Sequence, residues 1–393
     1  MTIPSPPDPR GARARTWATV DLDAVAHNVR AIRSVLPATT AFMAVVKADA
    51  YGHGAIPLAD AALAAGASWL GVATPDEALE LRDAGLRGAM LILGPTPVES
   101  VPNVIAAGCA LTVSDAGAIG AIARAQSKVK PRIHIKVDTG MTRLGIAPDD
   151  LQALLESVDP ARVEVEGAYT HLACADEPDP SMTREQLDAF SRTARLVKAR
   201  FPSAICHAAD SAGALGWPDA AFDLVRVGIA MYGVAPAPHL AGVPLRPVMT
   251  LSSRVVRARR VTAGTPVSYG ATYRARGATT IVTVPIGYGD GLPRALGNVG
   301  QMVVAGRRVP IAGRVCMDFT MLDVGEARVA EGDEVTVFGG ALPATEVAAA
   351  AGTIPYELFC RVGRRVPRVY LPAGAPASIR GAPATRGAGS GRS

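Results

Sequence analysis

The sequence predicts an α/β protein: a (β/α)8 barrel of the TIM type followed by a mostly β C-terminal domain. Between residues 41 and 233 short apolar runs alternate with amphipathic stretches, the pattern of repeated βα units around a parallel sheet. Eight such runs occur in a length that suits one closed barrel, with an open doubly wound sheet as the runner-up. After residue 247 the pattern turns to β-rich alternation broken by glycines, which marks a separate domain. The expected division is a tail over 1–15, a barrel domain over 16–247, a β-rich domain over 248–372 and a second tail over 373–393.

The elements follow in order. Residues 17–22 read as a strand that precedes the barrel and pairs with the C-terminal domain, and a helix follows over 23–35. Barrel strands are expected at 41–46, 69–73, 89–93, 109–113, 132–137, 163–170, 204–208 and 222–227, each a short run rich in aliphatic residues. Helices or helical turns are expected between them at 55–66, 75–85, 97–107, 115–127, 148–157, 183–200 and 211–216. The β-rich domain is read as strands within 248–261, 279–285, 301–311, 319–324 and 333–338.

Composition narrows the function classes. With 393 residues, 49% hydrophobic and 19% charged, the chain has the make-up of a well-packed globular enzyme. The net charge of +5 sits in the tails, where Arg10, Arg13 and Arg15 outnumber Asp8, and Arg380, Arg386 and Arg392 face no acid; the body over 16–370 is neutral. That placement argues against a nucleic-acid surface, and the Pro, Gly, Ala and Ser of both tails read as disorder. The five cysteines are odd in number, widely spaced and without a zinc-binding pattern, so no metal is expected and a reduced, cytoplasmic protein is. Prolines interrupt the first residues where a signal peptide needs an apolar stretch, and no run of about 18 apolar residues follows.

Lys47 carries the most information. It follows the apolar run Ala41-Phe42-Met43-Ala44-Val45-Val46 and precedes Ala-Asp-Ala-Tyr51-Gly52-His53-Gly54. A strand that buries its aliphatic residues and delivers an amine at its carboxyl end suits a Schiff-base lysine, with glycines that let the backbone bend around a bound group. A surface lysine closing a buried strand would have no need of the Tyr-Gly-His-Gly cluster. Further polar residues fall at the carboxyl ends of the other strands, where barrels of this kind place active sites: Lys136, Asp138, Thr139 and Arg143, then His171, then His207, Asp210 and Ser211, then Arg226. Ser211-Ala-Gly and Arg226-Val-Gly228-Ile229-Ala both turn backbone N–H groups outward as an anion site requires. In the β-rich domain, polar or aromatic islands stand in glycine-rich turns at Val267-Ser-Tyr269-Gly270, Gly287-Tyr288-Gly-Asp-Gly, Gly313-Arg-Val-Cys-Met317-Asp318 and Ile354-Pro-Tyr356-Glu.

Taken together, Ala44-Val-Val-Lys47-Ala-Asp-Ala-Tyr51-Gly-His-Gly, Lys136-Val-Asp-Thr-Gly-Met-Thr-Arg143-Leu-Gly, Tyr169-Thr-His171 and the C-terminal islands resemble the alanine racemase family, over roughly residues 16–370. The resemblance implies a pyridoxal 5'-phosphate enzyme, a homodimer with shared active sites, that interconverts L- and D-alanine for peptidoglycan. It implies that Lys47 holds the cofactor, that Tyr51, Ser211, Gly228, Ile229 and Tyr356 hold its phosphate, and that Arg226 faces the pyridine nitrogen. It implies two bases, Lys47 and Tyr269, on opposite faces of one carbon. A phenol ordinarily titrates near pH ~10, and the resemblance places a chain of His171 and Arg226 behind Tyr269. Arg143 and the Met317 N–H would bind the substrate carboxylate, a carbamate on Lys136 would orient Arg143, Asp318 would brace its loop, and Tyr288 would narrow the entrance.

Three positions depart from the family pattern: Asp210 where Asn is usual, Val227 where Pro is common, and Thr142 where Gly or Asn is frequent. Asp210 brings a carboxyl to the phosphate side. Competing readings are a barrel-type decarboxylase, which would place an acid where Arg226 stands, a broad-specificity amino-acid racemase, and a non-catalytic pyridoxal-phosphate carrier, which would leave Tyr269 and Met317 without a task.

Overall fold

The computed structural model describes residues 15–125 and 129–371. The tail expected over 1–15, apart from Arg15, and the tail expected over 373–393 lie outside the described residues. The chain divides into two units, one of residues 24–246 and one in which residues up to 23 join those from 247 onward. Strand β1 (Thr16–Asp21) belongs to the latter.

Eight strands make up the first unit: β2 (Ala41–Val45), β3 (Trp69–Val72), β4 (Ala89–Ile92), β5 (Ala110–Val113), β6 (Arg132–Lys136), β7 (Glu164–Tyr169), β8 (Ile205–His207) and β9 (Leu224–Val227). They form one parallel sheet in the order β8-β7-β6-β5-β4-β3-β2-β9. Its two outer strands meet where Asp223 N donates to Cys206 O at 3.0 Å and Arg226 N to Ala209 O at 2.9 Å, which makes the sheet a barrel. Strands β3, β5 and β9 are buried at every position, since helices cover one face and the barrel interior the other. Met43, Trp69, Leu91, Ala110, Tyr169 and Leu224 form an apolar cluster, and Ala41, Ala89 and Ile205 pack against it.

Some of the intervening helices begin where short polar side chains satisfy the first N–H groups. Thr74 accepts from Glu77 N at 3.3 Å and Glu77 accepts from Thr74 N at 3.3 Å, a reciprocal cap for the helix Pro75–Asp83. Asp115 accepts from Ala118 N at 2.8 Å ahead of the helix Ala116–Arg124. No helix among the described residues is long and apolar enough to cross a membrane.

In the second unit the strands are β10 (Met249–Arg254), β11 (Arg257–Val261), β12 (Pro266–Val267), β13 (Tyr273–Arg274), β14 (Thr279–Val284), β15 (Gln301–Val304), β16 (Arg307–Pro310), β17 (Thr320–Gly325), β18 (Glu334–Phe338) and β19 (Arg368–Leu371). A six-stranded sheet runs β16-β15-β18-β10-β1-β19, beside a three-stranded sheet β11-β14-β17 and the short hairpin β12-β13. Strand β1 pairs antiparallel with β10 and parallel with β19, so the N-terminal strand is an internal member of this sheet.

Several details differ from the sequence reading. The run 248–261 is two strands, because the chain leaves one sheet for the other between Arg254 and Arg257. The run 301–311 is a hairpin turned at Ala305 and Gly306, both at positive φ (50° and 71°), the two-residue turn whose twist suits paired strands. Two helices, Ala344–Ala350 and Pro355–Cys360, and strand β19 were not anticipated.

Candidate active site

Lys47 stands two residues beyond β2 and is half-buried. After it the backbone does not simply bend: Ala48, Asp49, Ala50 and Tyr51 all lie at φ 52–54° and ψ 46–50°, one turn of left-handed helix without a glycine in it. Each such residue costs roughly 1–2 kcal/mol in isolation, so the turn persists only because its surroundings fix it. Glu77 accepts from Ala48 N at 2.7 Å and from Ala73 N at 2.7 Å, tying the turn to the helix Pro75–Asp83. Asp49 accepts from Ala55 N at 2.7 Å, and His53 Nδ1 lies 3.0 Å from Ala50 O and 2.9 Å from Tyr51 O.

The turn carries Tyr51 inward. Its ring centre is 4.8 Å from that of Tyr232, whose hydroxyl donates to Val45 O at 2.8 Å. The Tyr51 hydroxyl reaches Gly228 so closely that a Cβ there would lie 2.5 Å from it, so a larger residue after β9 would displace Tyr51. Ser211 Oγ accepts from Gly228 N at 3.0 Å and from Ala230 N at 3.3 Å, and Ile229 is buried between them. Tyr51, Ser211, Gly228 and Ile229 therefore form one small polar cradle of hydroxyls and backbone N–H groups. Asp210 lies beside it and accepts from Gly213 N at 2.9 Å; burial pushes its pKa up, against the pull of that hydrogen bond and of Arg226.

Arg226 lies at the centre of the rim and is buried. Its Nη1 is 3.0 Å from His207 Nδ1; its Nη2 is 3.2 Å from His171 Nδ1 and donates to Thr170 O at 2.8 Å and Ala208 O at 2.9 Å. The guanidinium also lies over the Tyr169 ring, 5.2 Å from its centre. Burial lowers its pKa to about 10, which still leaves it charged at neutral pH. Burial, and the charges of Arg226, Arg143, Lys136 and Lys47, hold His171 well below the ordinary histidine value, so it is neutral. These four cations thus converge on one imidazole.

Lys136 is buried, donates to Val137 O at 2.9 Å and lies 5.4 Å from the centre of the Tyr169 ring. Burial and the nearby Arg226 bring its pKa down to about 8. The following loop is organised by Asp138, which accepts from Gly140 N, Met141 N and Thr142 N at 3.0, 2.9 and 3.1 Å. Burial alone would raise the Asp138 pKa, and these three bonds overcome it and hold the carboxylate below its usual range. Thr142 has φ 55°, the left-handed region that suits Gly or Asn, and it presents the exposed Arg143.

The second unit collects three of the glycine-rich islands into one loop cluster. Ser268 Oγ donates to Arg314 O at 2.6 Å, and a Cβ on Gly313 would lie 2.6 Å from Ser268 Cβ. Tyr288 N donates to Cys316 O at 3.0 Å and Gly289 N to Met317 O at 2.9 Å. Tyr269, Tyr288 and Met317 are carried outward by these loops, 71%, 43% and 52% exposed. Asp318 accepts from Arg365 at 2.7 Å, and Arg365 Nε lies 3.2 Å from the buried Asp290, whose carboxylate accepts from Gly287 N at 3.0 Å. Tyr356 is on the helix Pro355–Cys360.

Sequence reading missed Glu77, whose place in a helix's first turn looks ordinary, and His134 and Glu166, which follow no motif. The departure at Thr142 was the available signal for the left-handed loop.

Residues 20–236 match the alanine racemase N-terminal domain and residues 248–370 the alanine racemase C-terminal domain. The chain is 46% identical over 366 residues to the alanine racemase of Thermobifida fusca, covering 90% of this chain and 97% of that one. It is 42% identical over 362 residues to that of Desulfovibrio desulfuricans, covering 90% and 98%. Among solved structures, alanine racemase from Bacillus anthracis with bound L-Ala-P superposes with a TM-score of 0.86 at 38% identity, covering 92% and 96% of the two chains. The alanine racemase from the D-cycloserine producer Streptomyces lavendulae gives 0.83 at 41%, covering 91% and 97%.

Proposed function

The chain belongs to the alanine racemase family of isomerases, and from that premise we propose that it interconverts L- and D-alanine with pyridoxal 5'-phosphate. The reading extends to a cytoplasmic homodimer that supplies D-alanine for peptidoglycan. The observation that carries it is the buried Arg226, held through Nη1 and Nη2, beside the cradle of Tyr51, Ser211 and Gly228 and on the same rim as Lys47.

The residues present fit this cofactor. The cradle of hydroxyls and N–H groups suits a phosphate, small enough at Gly228 that a Cβ would fill it, and Tyr356 would add a further hydroxyl. Lys47 would hold the aldehyde carbon, and Arg226 would meet the ring nitrogen. Bound there, the cofactor supplies delocalisation of the charge left on the α-carbon when its proton departs. Because an arginine with a pKa of about 10 donates and does not accept, it would leave a ring nitrogen placed beside it unprotonated.

Racemisation moves a proton off one face of the α-carbon and another onto the opposite face, so it needs two bases. Lys47 serves the face from which D-alanine loses its proton, and Tyr269 the face from which L-alanine does. His171, neutral and held by Arg226, would stand behind the phenol in such a site. Arg143 and the Met317 N–H bind the substrate carboxylate. A carbamate on Lys136 gives Arg143 an anionic partner, and an amine with a pKa of about 8 has enough of its neutral form near neutral pH to take up carbon dioxide. Asp318 braces the Met317 loop through Arg365, and Tyr288 narrows the entrance. The exposure of Tyr269 and Met317 supports a site completed by a second copy of the chain.

The test is incubation of the purified protein with L-alanine in deuterated water. D-alanine carrying deuterium at the α-carbon is expected; the absence of both D-alanine and α-deuterium would exclude the reading.

A further inference from the structure

Behind Arg226 a file of hydrogen bonds crosses the barrel interior and ends on a residue outside every motif. His207 Nε2 is 2.9 Å from His134 Nδ1, His134 Nε2 is 3.3 Å from Glu166 Oε2, and Glu166 Oε1 accepts from Arg132 at 2.6 Å. Both imidazoles are fully buried, His134 edge-on to Trp69 and His207 stacked on Tyr169 at 4.8 Å.

Two features of the strands create the file. Between β6 and β7 the register steps from Ile133 opposite Val165 to His134 opposite Gly167, so Glu166 is an extra residue, and such a bulge re-aims a side chain. Gly167 leaves the space that the His134 ring occupies, since a Cβ there would lie 2.5 Å from its Nδ1.

The direction of every bond is fixed by its ends. An arginine has only donors, so His207 Nδ1 accepts from Arg226 and is bare. The proton of the neutral His207 ring is then on Nε2 and is donated to His134 Nδ1, which is bare in turn. His134 therefore carries its proton on Nε2 and donates it to Glu166, an acceptor because it is ionised against Arg132. Burial holds both rings below the ordinary histidine pKa, and although burial alone would raise Glu166, the His134 bond and Arg132 hold it low.

We infer that Glu166, through His134 and His207, is a positioning residue for Arg226: it selects the histidine tautomers that leave an acceptor for the guanidinium's Nη1. Its effect on turnover rests on the racemase reading above; its effect on the tautomers does not. Protein labelled with 15N-histidine, with signals assigned by single substitutions, reports the tautomers through two-bond proton–nitrogen correlation. The wild type is expected to carry one proton on each ring, on Nε2 of both His134 and His207. Glu166→Gln keeps an acceptor oxygen for His134, so the pattern is retained and kcat/KM stays within about threefold. Glu166→Leu removes it: His134 becomes a tautomer mixture and kcat/KM falls about ten- to a hundredfold, with bound cofactor still present.

A wild-type His207 protonated on Nδ1, or either ring doubly protonated, would overturn the inference. So would a Glu166→Leu protein with the wild-type pattern and turnover. Where Glu166→Leu does not fold, the wild-type and Glu166→Gln spectra decide. A wild type with the expected tautomers but no racemisation would leave this inference standing and remove the proposed function instead.

Discussion

Arg226 in the barrel is 4% exposed, and its hydrogen bonds to His207, His171, Thr170 and Ala208 all end within the barrel unit. Tyr269 in the second unit is 71% exposed, on a loop where Ser268, Gly270 and Ala271 take positive φ. The barrel fixes charged groups by burying them among partners of their own unit. The loop cluster does the reverse: it braces the backbone through Ser268, Gly313 and the Arg365–Asp318 pair, and leaves the aromatic and thioether groups to meet something else. Half of the proposed chemistry is thus preorganised within one unit, and the other half is an exposed surface that the proposed second copy would complete.

The largest expected effect comes from removing one base on each side of this divide. Lys47→Ala and Tyr269→Phe should each lower kcat at least about a thousandfold, but for different reasons. Lys47→Ala loses the cofactor's characteristic absorbance, whereas Tyr269→Phe keeps it; a Tyr269→Phe protein without that absorbance would mean the tyrosine belongs to cofactor binding. Next is Glu77, which touches no reacting group. Glu77→Ala leaves Ala48 N and Ala73 N without their carboxylate and should destabilise the protein by about 1–3 kcal/mol in denaturant unfolding. Since the left-handed turn then relaxes, turnover should fall as well; unchanged stability would show that the turn holds itself.

These residues also mark how far the sequence could be read. Barrel strands such as β2, β4 and β5 were legible because strands buried on both faces are nearly continuous apolar runs, and Lys47 because a cation at the end of such a run is conspicuous. The left-handed turn was not, since Ala48, Asp49, Ala50 and Tyr51 carry no residue that signals positive φ; the hydrogen bond that Ala48 N donates to Glu77, distant in sequence, ties it down. Glu166 was invisible for a related reason: only the register step opposite Ile133 and His134 turns it inward. In the second unit the glycine islands were readable, but not that 268–271, 287–291 and 313–318 meet. That depends on strand pairing across long separations.

Smaller effects sharpen the barrel side. With Lys136 brought down to about 8, its neutral form grows as pH rises through that value, so the carbamate signal in 13C-bicarbonate-equilibrated protein should strengthen through pH ~8 and fade below pH ~7. A signal independent of pH would argue against attachment to this amine. The smallest effect is at Thr142, a β-branched residue at φ 55°. Thr142→Asn should raise unfolding free energy by about 0.5–1 kcal/mol with turnover unchanged, as read by denaturant titration; a loss of stability would mean the hydroxyl has a role of its own.

Sharing of the site between two chains can be measured by complementation. Lys47→Ala and Tyr269→Phe proteins, each inactive, are unfolded and refolded together in equal amounts, and D-alanine formation from L-alanine is followed. Half of the dimers are then mixed, and each mixed dimer holds one site with both bases intact, so about a quarter of wild-type activity should return. If the amine and the phenol of each site come from the same chain, no such intact site exists, and activity at the background of either variant alone would contradict the account.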